Sequence, residues 1–195
     1  MTRKEHLIDT FKLLDLAKDD LDKLGTFLVI EKINDQFYRR LFLRNIYSVI
    51  EIFLSVTKEI LKIKVSIEGL NDNVSWTELV ILNEKKVFLD DKGKVKTKND
   101  FQNFEQSFRF TLNTFAKTFN CESPDYSSEN YQYLIKLSKR RNDITHPRVL
   151  KDQIITDQEL QETVVMMAWF VEIQGRYKNE IINWLNDIKL LKYNR

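Results

Sequence analysis

The sequence is short of the residues that build turns, crosslinks and membrane spans. It has 4 glycines and 2 prolines among 195 residues, whereas sheet proteins of this size need many turns made from these residues. The single cysteine, Cys121, excludes an internal disulfide and is typical of a reducing compartment. No apolar run reaches the ~18 residues of a membrane span, and the first ten residues lack a secretory h-region. The composition predicts a mostly helical, cytoplasmic protein without a membrane segment.

The charge balance limits how the chain could bind nucleic acid. Lys and Arg number 31 against 29 Asp and Glu, so the net charge is only +2. The whole chain is therefore no polycation, and any phosphate binding must come from local clusters. With 43% hydrophobic and 31% charged residues, the chain is expected to fold as one domain over residues 1–195.

Two helices are predicted in the first third of the chain from apolar residues at steps of three and four. The first spans residues 4–24 and is expected to stop at Gly25, and the second is a long buried helix over residues 34–65. The second carries a polar stripe at steps of four, three and four, formed by Arg44, Ser48, Glu51 and Ser55. The stripe is either a solvated face or a seam in which Glu51 bonds an arginine from elsewhere.

The segment 66–98 changes character and is interpreted as an insertion between core helices. A short helix over WTELVILNE is followed by two runs of β-prone residues with a turn at Gly93 between them. These features predict one exposed, lysine-rich hairpin within residues 84–98 as the only β structure.

Three more helices are predicted after the insertion. One spans about residues 100–119, with Asn99 or Asp100 as its cap and Phe101 on its aromatic face. The next begins near Ser128 and ends before Pro147. The last follows a capping box at residues 156–159 and reaches about residue 191, interrupted at Gly175, where another helix is expected to approach closely.

The stretch RRNDITHPR, residues 140–148, contains one of only two histidines. A histidine exchanges protons near neutral pH, and an arginine offers a planar fork of donors to phosphate. The cations of this region are Lys136, Lys139, Arg140, Arg141, Arg148 and Lys151. The cluster is either a solvated helix end that complements the helix dipole or a place where phosphate approaches.

This stretch resembles the signature of the HEPN superfamily, an Arg followed by four to six residues and a His. Here Arg141 and His146 flank four residues, and the polar Asn142 directly follows the Arg. The resemblance covers about residues 34–192 and implies an all-α, HEPN-like four-helix bundle. The N-terminal helix and the hairpin-containing insertion would be additions to that bundle.

The resemblance implies a metal-independent endoribonuclease, often from toxin–antitoxin or phage-defence systems, that needs no cofactor. His146 would move protons, Arg141 would hold the scissile phosphate, and Asn142 would position either group. The expected RNA contacts are Arg140, Lys136, Lys139, Arg148 and Lys151, with Glu51 and Arg44 in supporting positions. Lys136→Ala is then expected only to weaken RNA binding in a salt-dependent manner.

One geometric condition follows from the spacing of the motif. On a continuous helix, Arg141 and His146 point about 140° apart. Either the helix end unwinds or two chains combine, and the family implies a symmetric homodimer. Some toxins of the family carry a Tyr two residues after the His that an antitoxin modifies. Arg148 occupies that position here, so a regulatory partner would act elsewhere.

Two other classes of function remain open from the sequence. The protein could be a dimeric RNA- or nucleotide-binding module that retains the motif but does not catalyse cleavage. It could also be a helical scaffold, in which case Arg141 would be buried and paired with Glu51.

Overall fold

The computed structural model describes residues 3–27, 32–70 and 74–188. Within these ranges it has six α-helices, one 3₁₀ helix (Leu150–Gln153) and one two-stranded antiparallel sheet. The helices are α1 (Arg3–Phe27), α2 (Gln36–Glu68), α3 (Trp76–Leu82), α4 (Phe104–Phe119), α5 (Glu129–Thr145) and α6 (Asp157–Asp187), and the strands are β1 (Lys85–Leu89) and β2 (Val95–Asn99). The prediction of a mostly helical chain with one small hairpin is confirmed. No helix in the described ranges combines the length and apolar character required to cross a bilayer.

The chain divides into two compact units. The insert unit comprises Met1–Ala17 and Glu51–Ser123, and the motif unit comprises Lys18–Ile50 and Pro124–Arg195. Helices α1 and α2 therefore contribute residues to both units.

The motif unit is built around α5 and α6, which pack against each other. On α6, buried apolar residues recur at steps of three and four, the spacing of one helix face: Met166, Phe170, Ile173, Tyr177 and Ile181. Buried Tyr47 of α2 donates its hydroxyl to the Leu134 carbonyl of α5 at 2.6 Å. This bond gives the buried Tyr47 hydroxyl a hydrogen-bond partner.

The insert unit has α4 as its aromatic element. Phe108, Leu112 and Phe115 are fully buried, and the Phe115 and Phe119 rings stack with centroids 4.2 Å apart. The base of the hairpin is fixed to α2 by an ion pair between Lys58 Nζ and Glu84 Oε1 at 2.9 Å.

The predicted boundaries around the motif are confirmed. Ser128 caps α5, because its Oγ accepts from the Tyr131 N–H at 3.3 Å. Thr156 and Glu159 form a reciprocal capping box at the start of α6. Helix α5 ends at Thr145, one residue before the His-Pro pair.

Two predicted helix ends are wrong. Helix α1 continues through Gly25 to Phe27. Helix α4 is capped by Asn103 rather than by Asn99 or Asp100, because β2 holds Asn99 in register with Lys85. Phe101 consequently lies before the helix and is 75% exposed instead of contributing to its apolar face.

The predicted interruption of the last helix is also wrong. Helix α6 is continuous through Gly175, and a Cβ added there would meet nothing within 4 Å apart from the backbone of its own helix turn. No neighbouring helix therefore requires a glycine at this position. The expected end near residue 191 lies outside the described residues.

Candidate functional site

The motif sits at the carboxyl end of α5. The backbone remains helical through Thr145, and the His146 N–H closes the last turn on the Asn142 carbonyl at 2.9 Å. His146 itself leaves the helical conformation, with φ −128° and ψ 63°, because Pro147 disfavours that conformation for the residue before it. The side chains of Asn142 and His146 are both exposed.

Arg141 has a different environment on the same helix. It is half-buried, and its guanidinium carbon lies 5.5 Å from the centroid of the Tyr47 ring. Burial raises the pKa of the Tyr47 hydroxyl, and the positive charge of Arg141 acts in the opposite direction. Arg141 thus lies against an aromatic ring of the core, while His146 faces solvent. Unwinding of the helix between these two residues, one of the two solutions predicted from the sequence, does not occur.

The link between α5 and α6, residues 146–156, is held by Arg140 from the α5 side. Its Nε donates to Glu159 Oε1 at 2.8 Å, and Nη1 donates to the Asp152 carbonyl at 2.9 Å. Its Nη2 also bonds the carbonyls of Lys151 and Ile154. These contacts give the Arg140 guanidinium a structural role inside the unit, and its service as an RNA contact stays a prediction.

Helix α2 also holds this link and the last turn of α5 that precedes it. Arg44 donates to the Ile144 carbonyl at 2.6 Å, and Arg40 donates to the Gln153 carbonyl at 2.9 Å. Buried Arg39 donates to the Ile155 carbonyl at 2.9 Å and pairs with Asp157 at 2.6 Å. We call these three side chains and Arg140 the arginine clamp. Because charged donors satisfy carbonyls that no helix or sheet would satisfy, the clamp fixes the course of the link.

Asp152 completes the link from within. Its Oδ2 accepts from the backbone N–H groups of Arg148 at 2.8 Å and Val149 at 3.1 Å. The hydrogen bond from Arg148 is the largest cause that holds the pKa of the Asp152 carboxyl below its usual value. The backbone that follows His146 is therefore ordered by a carboxylate as well as by the clamp.

Lys136 also has a partner within the motif unit. Its Nζ contacts both carboxylate oxygens of Glu162, at 2.7 and 2.6 Å. Glu162 is buried and accepts a further bond from Gln158 at 3.0 Å. Lys136 balances a buried charge, which the sequence did not indicate.

The remaining predicted cations face solvent. Lys139, Arg148 and Lys151 are exposed, and no carboxylate in the described part of the chain forms a salt bridge with them. The α2 stripe is exposed at all four positions, as expected for a solvated face, although Arg44 also reaches the motif helix. Glu51 belongs to the insert unit.

Arg39 and Arg40, half of the clamp, and the neighbouring Gln36 were not predicted from the sequence. Arg39, Arg40 and Gln36 lie at the start of an apolar helix, and their bonded partners are 113 to 119 residues away. The only available signal was the density of arginines in QFYRRLFLR, since a buried arginine needs acceptors.

Within the described ranges, no three His, Cys, Asp or Glu side chains are grouped as metal ligands. No family model, curated protein or solved structure matches this chain.

Proposed function

We propose that the protein is a HEPN-type endoribonuclease that cleaves RNA through the substrate's own 2′-hydroxyl, without a metal ion. The observation that carries the proposal is the exposed His146 at the end of an intact helix, on a link whose backbone is fixed by the arginine clamp. Pre-organisation of this kind is what a proton-transferring group needs, because misplacement lowers the rate steeply.

The reaction divides between the substrate and the exposed side chains. The 2′-oxygen loses its proton to a base and attacks phosphorus, and the bond to the 5′-oxygen breaks as that oxygen gains a proton. The products are a 2′,3′-cyclic phosphate and a 5′-hydroxyl. His146 is suited to both proton transfers, and Lys139, Arg148 and Lys151 supply positive charge for the phosphates on either side. Asn142, exposed one turn before His146, would orient the ribose or the phosphate.

A second copy of the chain completes the site in this proposal. Within one chain Arg141 lies against the core and His146 faces solvent, so the two side chains do not form one site. In a dimer, one copy of His146 would act as the base and the other copy, in the same groove, as the acid. The link offers an apolar surface for this contact, since Val149, Leu150 and Ile154 are all exposed although their backbone is fixed. Apolar side chains held rigidly in water are typical of an interface.

The test is incubation of purified protein with mixed RNA in EDTA. We expect cleavage that leaves 2′,3′-cyclic phosphate ends and that slows by about 10²–10⁴ in His146→Ala, the usual contribution of a positioned acid or base. His6→Ala, which removes the other histidine, is the matched control and should cleave at the wild-type rate. A requirement for Mg²⁺, or full activity in His146→Ala, would refute the proposal.

A second candidate is a dimeric RNA-binding module that does not turn over. The position of Arg141 over the Tyr47 ring favours it, because a half-buried arginine is less available to a reacting phosphate. In that case RNA binds with wild-type affinity to His146→Ala, and no cleavage is seen with either protein.

A further inference from the structure

The β1–β2 hairpin of the insert unit separates its side chains into two chemically different faces. In the antiparallel register, Lys86 is paired with Lys98 and Phe88 with Lys96. Since cross-strand partners share a face and neighbours along a strand alternate, these four residues lie together, and we call them the lysine face. The opposite face carries Val87, Leu89, Val95 and Thr97, with the Lys85 and Asn99 pair at its end. Both strands are exposed along their whole length.

The lysine face contains an unfavourable contact that needs a reason. Like charges directly opposite each other on a sheet are destabilising, and Lys86 and Lys98 are such a pair. Asp90 pairs with Lys96 at 3.1 Å, but no carboxylate in the described ranges forms a salt bridge with Lys86 or Lys98. A bound polyanion would convert this repulsion into attraction for both strands.

The charge of the chain is concentrated in this hairpin. Residues 85–98 hold six lysines and two aspartates, a net charge of +4, while the whole chain has a net charge of +2. The rest of the protein is therefore net acidic. A hairpin with this local excess of positive charge attracts a polyanion.

An aromatic ring lies among these lysines. Phe88 is 38% exposed, and the Lys98 ammonium lies 5.8 Å from its ring centroid. Proteins that bind single-stranded nucleic acid combine positive charge along the backbone with aromatic rings on which unpaired bases stack. A membrane surface fits less well, because the aliphatic side chains that would enter it lie on the face opposite to Lys86, Lys96 and Lys98.

The hairpin is also held in a fixed conformation. Asp90 Oδ1 accepts from the N–H groups of Lys92 and Lys94 in the turn, and Gly93 supplies the positive φ of 70°. At the other end, the Asp100 N–H donates to the Glu84 carbonyl at 2.9 Å. The lysine face is thus presented by a defined element.

We propose that the lysine face binds single-stranded RNA through Lys86, Lys96 and Lys98 to phosphates and through Phe88 to a base. That the nucleic acid is RNA rests on the proposed function. The site belongs to the insert unit and uses none of the residues assigned to catalysis.

The test measures fluorescence anisotropy of a labelled oligouridine with full-length His146→Ala protein, so that binding is read without cleavage. Adding Lys86→Gln and Lys98→Gln should raise the Kd about tenfold and reduce the slope of log K against log salt by about 1.4, the loss of two phosphate contacts. Lys12→Gln with Lys23→Gln, which removes the same charge from exposed positions of α1, should do neither. The Lys86 and Lys98 variant should also unfold at no lower temperature than its parent, since a repulsive pair is gone.

Phe88 separates stacking from charge. Phe88→Ala should weaken binding about five- to a hundredfold with an unchanged salt slope, and Phe88→Tyr should restore it. Unchanged oligouridine binding in the Lys86 and Lys98 variant overturns the proposal, as does loss of binding to phosphatidylserine vesicles alone. If no RNA is cleaved but binding depends on the lysine face, this proposal stands and the proposed function is wrong. If RNA is cleaved but binding does not depend on the lysine face, the proposed function stands and this proposal is wrong.

Discussion

The cations near the motif divide into two groups according to what their side chains touch. Lys136 and Arg140 reach carboxylates of α6, whereas Lys139, Arg148 and Lys151 face solvent. The sequence could not separate the groups, because Glu159 and Glu162 lie 19 and 26 residues from their partners. Helical spacing predicts on which face of its helix a residue lies, but it does not predict which charged side chains of a neighbouring helix that residue meets.

The first prediction concerns Lys136. We expect Lys136→Ala to lower the free energy of unfolding by about 1–3 kcal/mol, because it leaves Glu162, 7% exposed, with an uncompensated charge. This is less than the roughly 3–5 kcal/mol expected when a fully buried pair loses one partner, since Lys136 is itself 53% exposed. Urea unfolding measures this loss of stability. A loss of the expected size would mean that Lys136 stabilises the fold, whereas the sequence predicted only an effect on RNA binding.

Two variants check the cause of the Lys136 effect. Lys139→Ala, one turn further on and exposed, should change stability by no more than about 0.5 kcal/mol. Lys136→Met with Glu162→Leu should recover most of the lost stability, because both charges are removed together. If the double variant is less stable than Lys136→Ala, the buried carboxylate is not the cause.

The second prediction concerns pH and Asp152. Hydrogen bonds from the Arg148 and Val149 N–H groups hold its pKa below the usual 3.8. Its contribution to stability is therefore complete above that value and is lost as the pH falls through the lower pKa of the folded protein. Wild type should exceed Asp152→Ala in stability at pH 7, and the gap should close below about pH 4. A gap that is constant over this range would contradict the assignment.

At the scale of elements, local signals near the motif were reliable and distant ones were not. Ser128, Pro147 and the capping box of α6 each act through bonds within a few residues, so the ends of α5 and the start of α6 were predictable. The start of α4 was not, because the strand pairing of Asn99 with Lys85 decides it. The contacts of the three α2 arginines in the clamp could not be predicted for the same reason, since their partners on the link and on α5 lie 100 to 116 residues away.

The third prediction concerns the single glycine inside α6. Gly175→Ala should raise the free energy of unfolding by about 1 kcal/mol, the usual difference in helix propensity, because the added methyl group meets nothing within 4 Å apart from the backbone of its own helix turn. Thermal or urea unfolding measures the change. A destabilised variant would mean that something not seen in this structure, such as a partner helix, covers Gly175.

At the scale of the whole molecule, the fourth prediction concerns assembly. If a second copy covers the link, Leu150→Glu, at a position 82% exposed, should convert a dimer into a monomer and abolish RNA cleavage together. Light scattering at micromolar concentration measures the mass. Leu89→Glu is the matched control, since Leu89 is 66% exposed in the other unit and should leave the mass unchanged. A wild-type monomer with full RNase activity would remove the dimer from the mechanism.

The arginine clamp also sets when the site can form during synthesis. Three of its four donors lie near residue 40, and their acceptors are the backbone carbonyls of residues 144, 153 and 155. A nascent chain that has not left the ribosome beyond Asp157 holds the arginines without their partners, so the link cannot be ordered. The link that carries His146 is therefore completed only after the residues up to Asp157 have emerged. A shortened translation product that ends before α6 would carry the whole RNDITHP motif and still lack an organised site.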